Sequence, residues 1–266
     1  MSVRALTPAA LACALALPFS AAAAQGFRYS AGTSQYRMSV DAKITQTVMG
    51  QSNETDVSSG QKFTMVLAKQ SADTLAMMVT VDSIVQNTPM GPVPGLDALI
   101  GKHVKALLSP NGEFYTSISP EADSNAALAS VADQLEHLLP RVRIALAAGA
   151  TWTDTLNATT SQGGLELKRQ VISKYTVAGD TTVAGRTAWK INCASTSSTS
   201  GSGNIQGQNA AMDGTSTGTG VVLLSHDGTF LGGIGTEDVK AKLSLTDAGV
   251  AYDIATTAKT TIDRVN

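Results

Sequence analysis

From about Gln25 onward the chain alternates apolar and polar residues with period two, the pattern of a β-strand with one face buried and one wetted. Phe63, Met65 and Leu67 alternate with Lys62 and Thr64, and Leu75, Met77, Val79 and Val81 occupy the odd positions between Thr74 and Asp82. Val239, Ala241, Leu243 and Leu245 interleave with Lys240, Lys242, Ser244 and Thr246. Tyr252 and Ile254 are flanked by Asp253 and Ala255, and Trp189, Ile191 and Cys193 by Lys190 and Asn192. The polar partners are mostly Thr, Ser and Lys, which suits the solvated face of an antiparallel sheet.

Turn residues punctuate these runs. Ser109-Pro110-Asn111-Gly112, Ser225-His226-Asp227-Gly228 and Thr246-Asp247-Ala248-Gly249 each join two strand-like stretches, as hairpin loops do. Counting runs between such signals predicts roughly ten to twelve strands. Between Glu121 and Leu139 the rhythm changes: Leu128, Val131, Leu135 and Leu138 recur at steps of three and four, which predicts one amphipathic helix. Asp123 or Ser124 would cap it and Pro140 would end it. Asn87 to Gly95, with three Pro and two Gly, reads as a loop. Ser195 to Gly207, rich in Ser, Thr and Gly, reads as a flexible loop or a poorly specified edge strand.

Geometry limits how such elements assemble. Ten strands about 4.8 Å apart make a sheet roughly 48 Å wide, whereas one helix is only about 10 Å across. A single helix cannot roof a flat apolar face of that width. The expected fold is therefore mainly β: a strongly curled antiparallel sheet, half-barrel or barrel-like, with the one central helix on its concave side. A two-sheet sandwich is the alternative. With 5% aromatic residues, little bulk is available to fill a large interior, so a cavity lined by adaptable Met and aliphatic side chains is expected.

The start of the chain reads as a secretory signal over residues 1–24. Arg4 supplies the positive charge, Leu6 to Phe19 the apolar stretch, and Ala22-Ala23-Ala24 the small residues before Gln25. Pro8 and Pro18 interrupt the run, which falls short of the about 20 apolar residues a membrane span requires. Residues 25–266 then form one domain, exported to the periplasm or beyond, with a lipoprotein anchored through Cys13 as the minor alternative. Otherwise Cys13 leaves with the signal, and Cys193 alone cannot build a disulfide framework. A net charge of −2 and a pI near 5.9 give no footprint for nucleic acid or an anionic membrane surface.

Most chemistries find no constellation. Gly214-Thr215-Ser216-Thr217-Gly218 matches the serine-hydrolase elbow in form, but a strand-like Gly220-Val221-Val222-Leu223-Leu224 follows where a helix is required. His103, His137 and His226 lack zinc-site spacing. Glu237-Asp238 and Asp73 with Asp82 stand among strand ends, without the aromatic platforms of a glycosidase. Cys193 sits on the apolar side of its strand, as an inert buried thiol does. No phosphate-binding loop occurs. An outer-membrane barrel would need apolar outward faces and aromatic girdles, which the few aromatics and the terminal Arg264-Val265-Asn266 disfavour. The expectation is no enzyme, no cofactor and no metal.

Gly149-Ala150-Thr151-Trp152-Thr153-Asp154-Thr155, then Gly179-Asp180, Gly185-Arg186 and Ala188-Trp189-Lys190-Ile191, then Ser225-His226-Asp227-Gly228-Thr229 follow one another in order. That succession resembles exported bacterial proteins of unknown function with a long-stranded curled sheet. More distantly, the architecture is similar to the LolA/LolB lipoprotein carriers and related mycobacterial lipid-binding lipoproteins. The resemblance implies an incomplete barrel holding acyl chains, and it supplies no catalytic residues. The expected function is binding of a hydrophobic ligand, a lipid or acyl chain, with Met65, Met77, Val79, Met90, Leu135, Trp152 and Trp189 as candidate ligand contacts. The rival is an envelope interaction or structural protein without a ligand.

Overall fold

A computed structural model describes residues 26–116, 118–120, 128, 131–132, 134–135, 138–162 and 164–265. The signal-like segment and Cys13 lie outside them. The described chain is mainly strand: β1 (Gly32–Val48), β2 (Gln51–Lys69), β3 (Leu75–Thr88), β4 (Gly91–Pro92), β5 (His103–Leu108), β6 (Ser119–Pro120), β7 (Thr151–Gln162), β8 (Leu165–Val183), β9 (Arg186–Ile205), β10 (Gln208–Ser225), β11 (Phe230–Leu245) and β12 (Val250–Arg264). All pair antiparallel in one sheet of order β6-β5-β3-β2-β1-β12-β11-β10-β9-β8-β7, with β4 paired to β3 beside this path. The first and last long strands are mid-sheet neighbours, in register from Tyr36 opposite Arg264 to Val48 opposite Tyr252. The edges β6 and β7 do not pair, so the sheet is not closed.

Several strands reach 17 to 20 residues, which at about 3.4 Å per residue makes them roughly 60 Å long. Tight turns keep neighbours in register. Met49-Gly50, Ala184-Gly185 and Gln206-Gly207 each have positive φ at both positions (51° and 80°, 48° and 77°, 51° and 86°). That pair of angles is the type I′ turn, whose twist matches the strands it joins. The Ser225–Gly228 and Thr246–Gly249 turns link β10 to β11 and β11 to β12, where the sequence places hairpins.

The core sits at one end of the sheet, called here the near end, where β1 begins and β12 stops. Inward-facing Tyr36, Phe63, Met65, Met77, Val79, Val104, Leu108, Trp152, Val177, Ile191, Leu224 and Phe230 join one buried cluster. Leu128, Val131, Ala132, Leu135, Leu138, Leu139 and Val142 fill its concave side. Tyr36 on β1 and Phe230 on β11 meet over the intervening β12, with ring centroids 5.5 Å apart.

Three expectations are corrected. Among the described residues no α-helix has defined bounds, and the one bounded helical element is the 3-10 turn Leu96–Leu99. Most of Glu121–Leu139, with Asp123, Ser124 and His137, lies outside the described residues; Leu128, Val131, Ala132, Gln134 and Leu135 have helical backbone geometry. The spacing of three and four identified which side chains enter the core, and it does not fix the extent of an element. The central helix is thus not borne out as an element.

The second correction concerns Ser195–Gly207, which is neither loop nor edge. Ser195–Ile205 completes β9, paired to β8 on one side and β10 on the other. Small residues are what this place accepts: a Cβ on Gly203 would stand 2.0 Å from the Gly164 carbonyl oxygen, and one on Gly201 2.2 Å from that of Glu166. Asn87–Gly95 also contributes to the sheet, since β3 runs to Thr88 and turns through Pro89-Met90 into β4.

Candidate functional site

The candidate contacts divide between core and surface. Met65, Met77, Val79 and Leu135 are packed inside the near-end cluster. Trp152 joins them, its indole N–H donating to the Arg141 carbonyl at 2.8 Å and its ring stacking on Tyr175 at 4.7 Å. Trp189 is half-buried and stacks on the His226 imidazole at 4.4 Å. Met90 stands apart on the β3–β4 turn, 97% exposed. Six of the seven therefore belong to one packed region, and Leu128, Val131, Ala132, Leu138, Leu139 and Val142 fill the space they were expected to line.

Beyond that plug, toward the turns at Met49-Gly50 and Gln206-Gly207, the inner face continues as an open trough. Val40, Ala42 and Ile44 on β1, Val57 on β2, Val171 on β8, Val239 and Ala241 on β11, and Ile254 and Ala258 on β12 all point inward and are half-buried. None belongs to the fully buried core. At the far end Leu165, Leu167 and Ala210 form a small second cluster with Ile205, Met212, Leu243 and Leu245.

Polar side chains share the trough: Thr55, Ser173, Ser195, Thr199, Thr256 and Thr260 also point inward, and one ion pair crosses it. Arg169 on β8 reaches across β9 and β10 to Glu237 on β11, Nη2 to Oε1 at 3.3 Å. Ser216 donates to the same Oε1 at 2.6 Å and shares a 2.7 Å hydrogen bond with Ser197. The span is open because the intervening inward positions are Ser197, Ser216 and Gly218, which stand low. The outward face is of a different kind. Asp41, Lys43, Asp238, Lys240, Lys242, Asp253 and Lys259 are exposed there.

These contacts settle the roles of several residues singled out in the sequence. Ser216 lies in mid-strand with Glu237 and Ser197 as partners, and no histidine among the described residues is bonded to it. Glu237 and its neighbour Asp238 face opposite sides of the sheet, and Asp238 accepts from Thr257 at 2.7 Å. Asp73 pairs with Arg28 at 3.6 Å, and Asp82 accepts from Thr64 at 2.7 Å. His226 meets Asp180 at 2.8 Å beside Trp189. Burial pushes the Cys193 thiol up, which keeps it protonated and a weak nucleophile. No group of three or more metal-ligating side chains occurs among the described residues.

A cavity of about 290 Å³ opens at the near end, where the Gly228 turn meets the start of β1. Tyr36, Met65, Leu67 and Phe230 form its apolar side, and Ser34, Thr229, Arg186, Arg264 and the carboxylate Asp227 its polar side. Sequence reasoning missed this site because Arg264 is the final inward position of β12, a rank that only the register reveals.

No family model matches this chain, and no curated protein is similar to it. Among solved structures it is similar to Pseudomonas aeruginosa OccK2 (OpdF) in complex with glucuronate, at 8% identity and a TM-score of 0.29, covering 91% of this chain and 100% of that one. It is also similar to a loop L8 deletion mutant of OmpT, an outer membrane protein of Vibrio cholerae, at 7% identity and a TM-score of 0.20, covering 86% and 99%. Superpositions this loose share little beyond long antiparallel strands. No helix among the described residues is long and apolar enough to cross a membrane.

Proposed function

We propose that this chain is a non-enzymatic exported protein that binds a hydrophobic ligand, an acyl chain or lipid, lengthwise in the trough beyond the plug. The observation that carries the reading is the inner face itself. Aliphatic side chains on β1, β2, β8, β11 and β12 are aligned inward, yet no described segment covers them. Half-buried aliphatic side chains on one face, with no described segment over them, are a surface that an acyl chain would complete. The charged outward face supports a protein surrounded by water, since each Lys at a bilayer midplane costs about 2–4 kcal/mol. The signal-like residues 1–24 support periplasmic or extracellular residence.

The test is native mass spectrometry of the mature chain purified from a bacterial envelope, with lipid extraction of the same sample. Bound lipid, displaced by Ala42→Trp, is the expected result. Ligand-free protein that also takes up no lipid from phosphatidylethanolamine vesicles would overturn the reading. Recovery of a stoichiometric envelope protein in place of lipid would transfer the trough to the rival function of envelope interaction.

A further inference from the structure

The near-end cavity is independent of the trough. It lies on the other side of the plug, and its floor of Tyr36, Met65 and Phe230 belongs to the core. Its charge balance is uneven. Arg186 is paired with Asp227, Nη1 to Oδ2 at 3.3 Å, whereas the buried Nε of Arg264 has no hydrogen-bond partner among the described residues. Asp227 is further occupied by Ser225 and Thr229, which hold its carboxyl below the ordinary carboxylate range. Among the described residues one positive charge is left over. Tyr36 contributes no compensating charge, because burial keeps its phenol protonated to about pH 12.

The geometry points to a binding site for a small amphiphilic monoanion, a carboxylate carrying a short apolar body, held by Arg264 at its head and by Met65, Leu67 and Phe230 along its tail. A guanidinium matches a carboxylate, whose two oxygens accept from its terminal N–H groups together. Ser34, itself buried, places a hydroxyl on the same wall. A neutral molecule of the same shape does not remove the excess charge, so the site should discriminate by charge.

Titration of the mature chain with octanoate and with octan-1-ol, followed by nitrogen-15 NMR of the arginine Nε–H groups, tests this. Octanoate should saturate and move the Arg264 Nε–H resonance, and octan-1-ol should bind at least tenfold more weakly. Arg264→Gln should weaken octanoate at least tenfold, while Lys242→Gln, which removes an exposed outward charge, should leave it unchanged. A stationary Arg264 resonance at saturating octanoate, or equal binding of acid and alcohol, would overturn the site. The resonance is read on the unaltered chain, so a folding defect in the variant does not confound the result. Loss of this site would leave lipid recovery from the trough untouched.

Discussion

The Tyr36 hydroxyl donates to the Phe230 carbonyl at 2.8 Å, joining β1 to β11 over the intervening β12. Phe63 stacks on the other side of the Tyr36 ring at 5.3 Å. This contact fastens β1 to β11 at the near end, and its strength is measurable. Tyr36→Phe keeps the rings and removes the donor, leaving a buried carbonyl unpaired. The expected loss is about 1–2 kcal/mol of unfolding free energy in urea. An unchanged midpoint would show that the near end does not depend on this bond.

The same residue carries a pH dependence. Burial raises the Tyr36 pKa from 10 to about 12, and burial also raises Tyr29 and Tyr175. A raised pKa in the folded state means that the unfolded chain loses its phenolic protons first. Stability from these groups is therefore intact below pH 10 and declines as pH climbs from 10 toward 12. Urea midpoints measured from about pH 8 to 12 should fall only in the upper part of that range, and less steeply in Tyr36→Phe.

Arg141 ties the plug to the edge of the sheet. Its Nε meets Asp154 Oδ2 at 2.6 Å with both side chains largely buried, and its carbonyl receives the Trp152 indole N–H. Arg141→Met strands the Asp154 carboxylate, which already has one oxygen unpaired, and should cost about 3 kcal/mol. Arg141→Met combined with Asp154→Leu should recover most of that loss in the same denaturation assay. Additive losses would deny the pairing.

Gly203 is held by its neighbour across β8. With its would-be Cβ 2.0 Å from the Gly164 carbonyl oxygen, Gly203→Ala must displace one strand from the other. A loss of about 2 kcal/mol is expected, with faster amide exchange in Leu165–Leu167 and little change at Trp152. An Ala variant as stable as the parent would contradict the close approach of β8 and β9.

Much of the architecture was legible in the sequence. The alternations at Phe63–Leu67 and Leu75–Val81 identify the buried faces of β2 and β3, and Asp-Gly in Ser225–Gly228 marks its hairpin. Met49-Gly50, Ala184-Gly185 and Gln206-Gly207 escaped notice because Met, Ala and Gln rarely take the left-handed conformation that these turns demand. Ser195–Ile205 was obscured by composition, since Ser, Thr and Gly signal loops unless the strands beside them are known to require small residues. Core and cavity were harder to separate. Met65 and Met77 read equally well as lining and as filling, and only the packing of Leu128, Val131, Leu135 and Leu138 in the same cluster decides. Met90 had no periodic neighbour to support it, and it lies on a turn.

The trough is tested most directly by photo-crosslinking the mature chain with a diazirine-bearing palmitate and mapping the adducts by mass spectrometry. The account predicts adducts concentrated on Ile44, Val57, Val239 and Ile254, with Lys240, Lys242 and Lys259 unlabelled. Adducts confined to the outward face, or an absence of labelling at saturating palmitate, would contradict it.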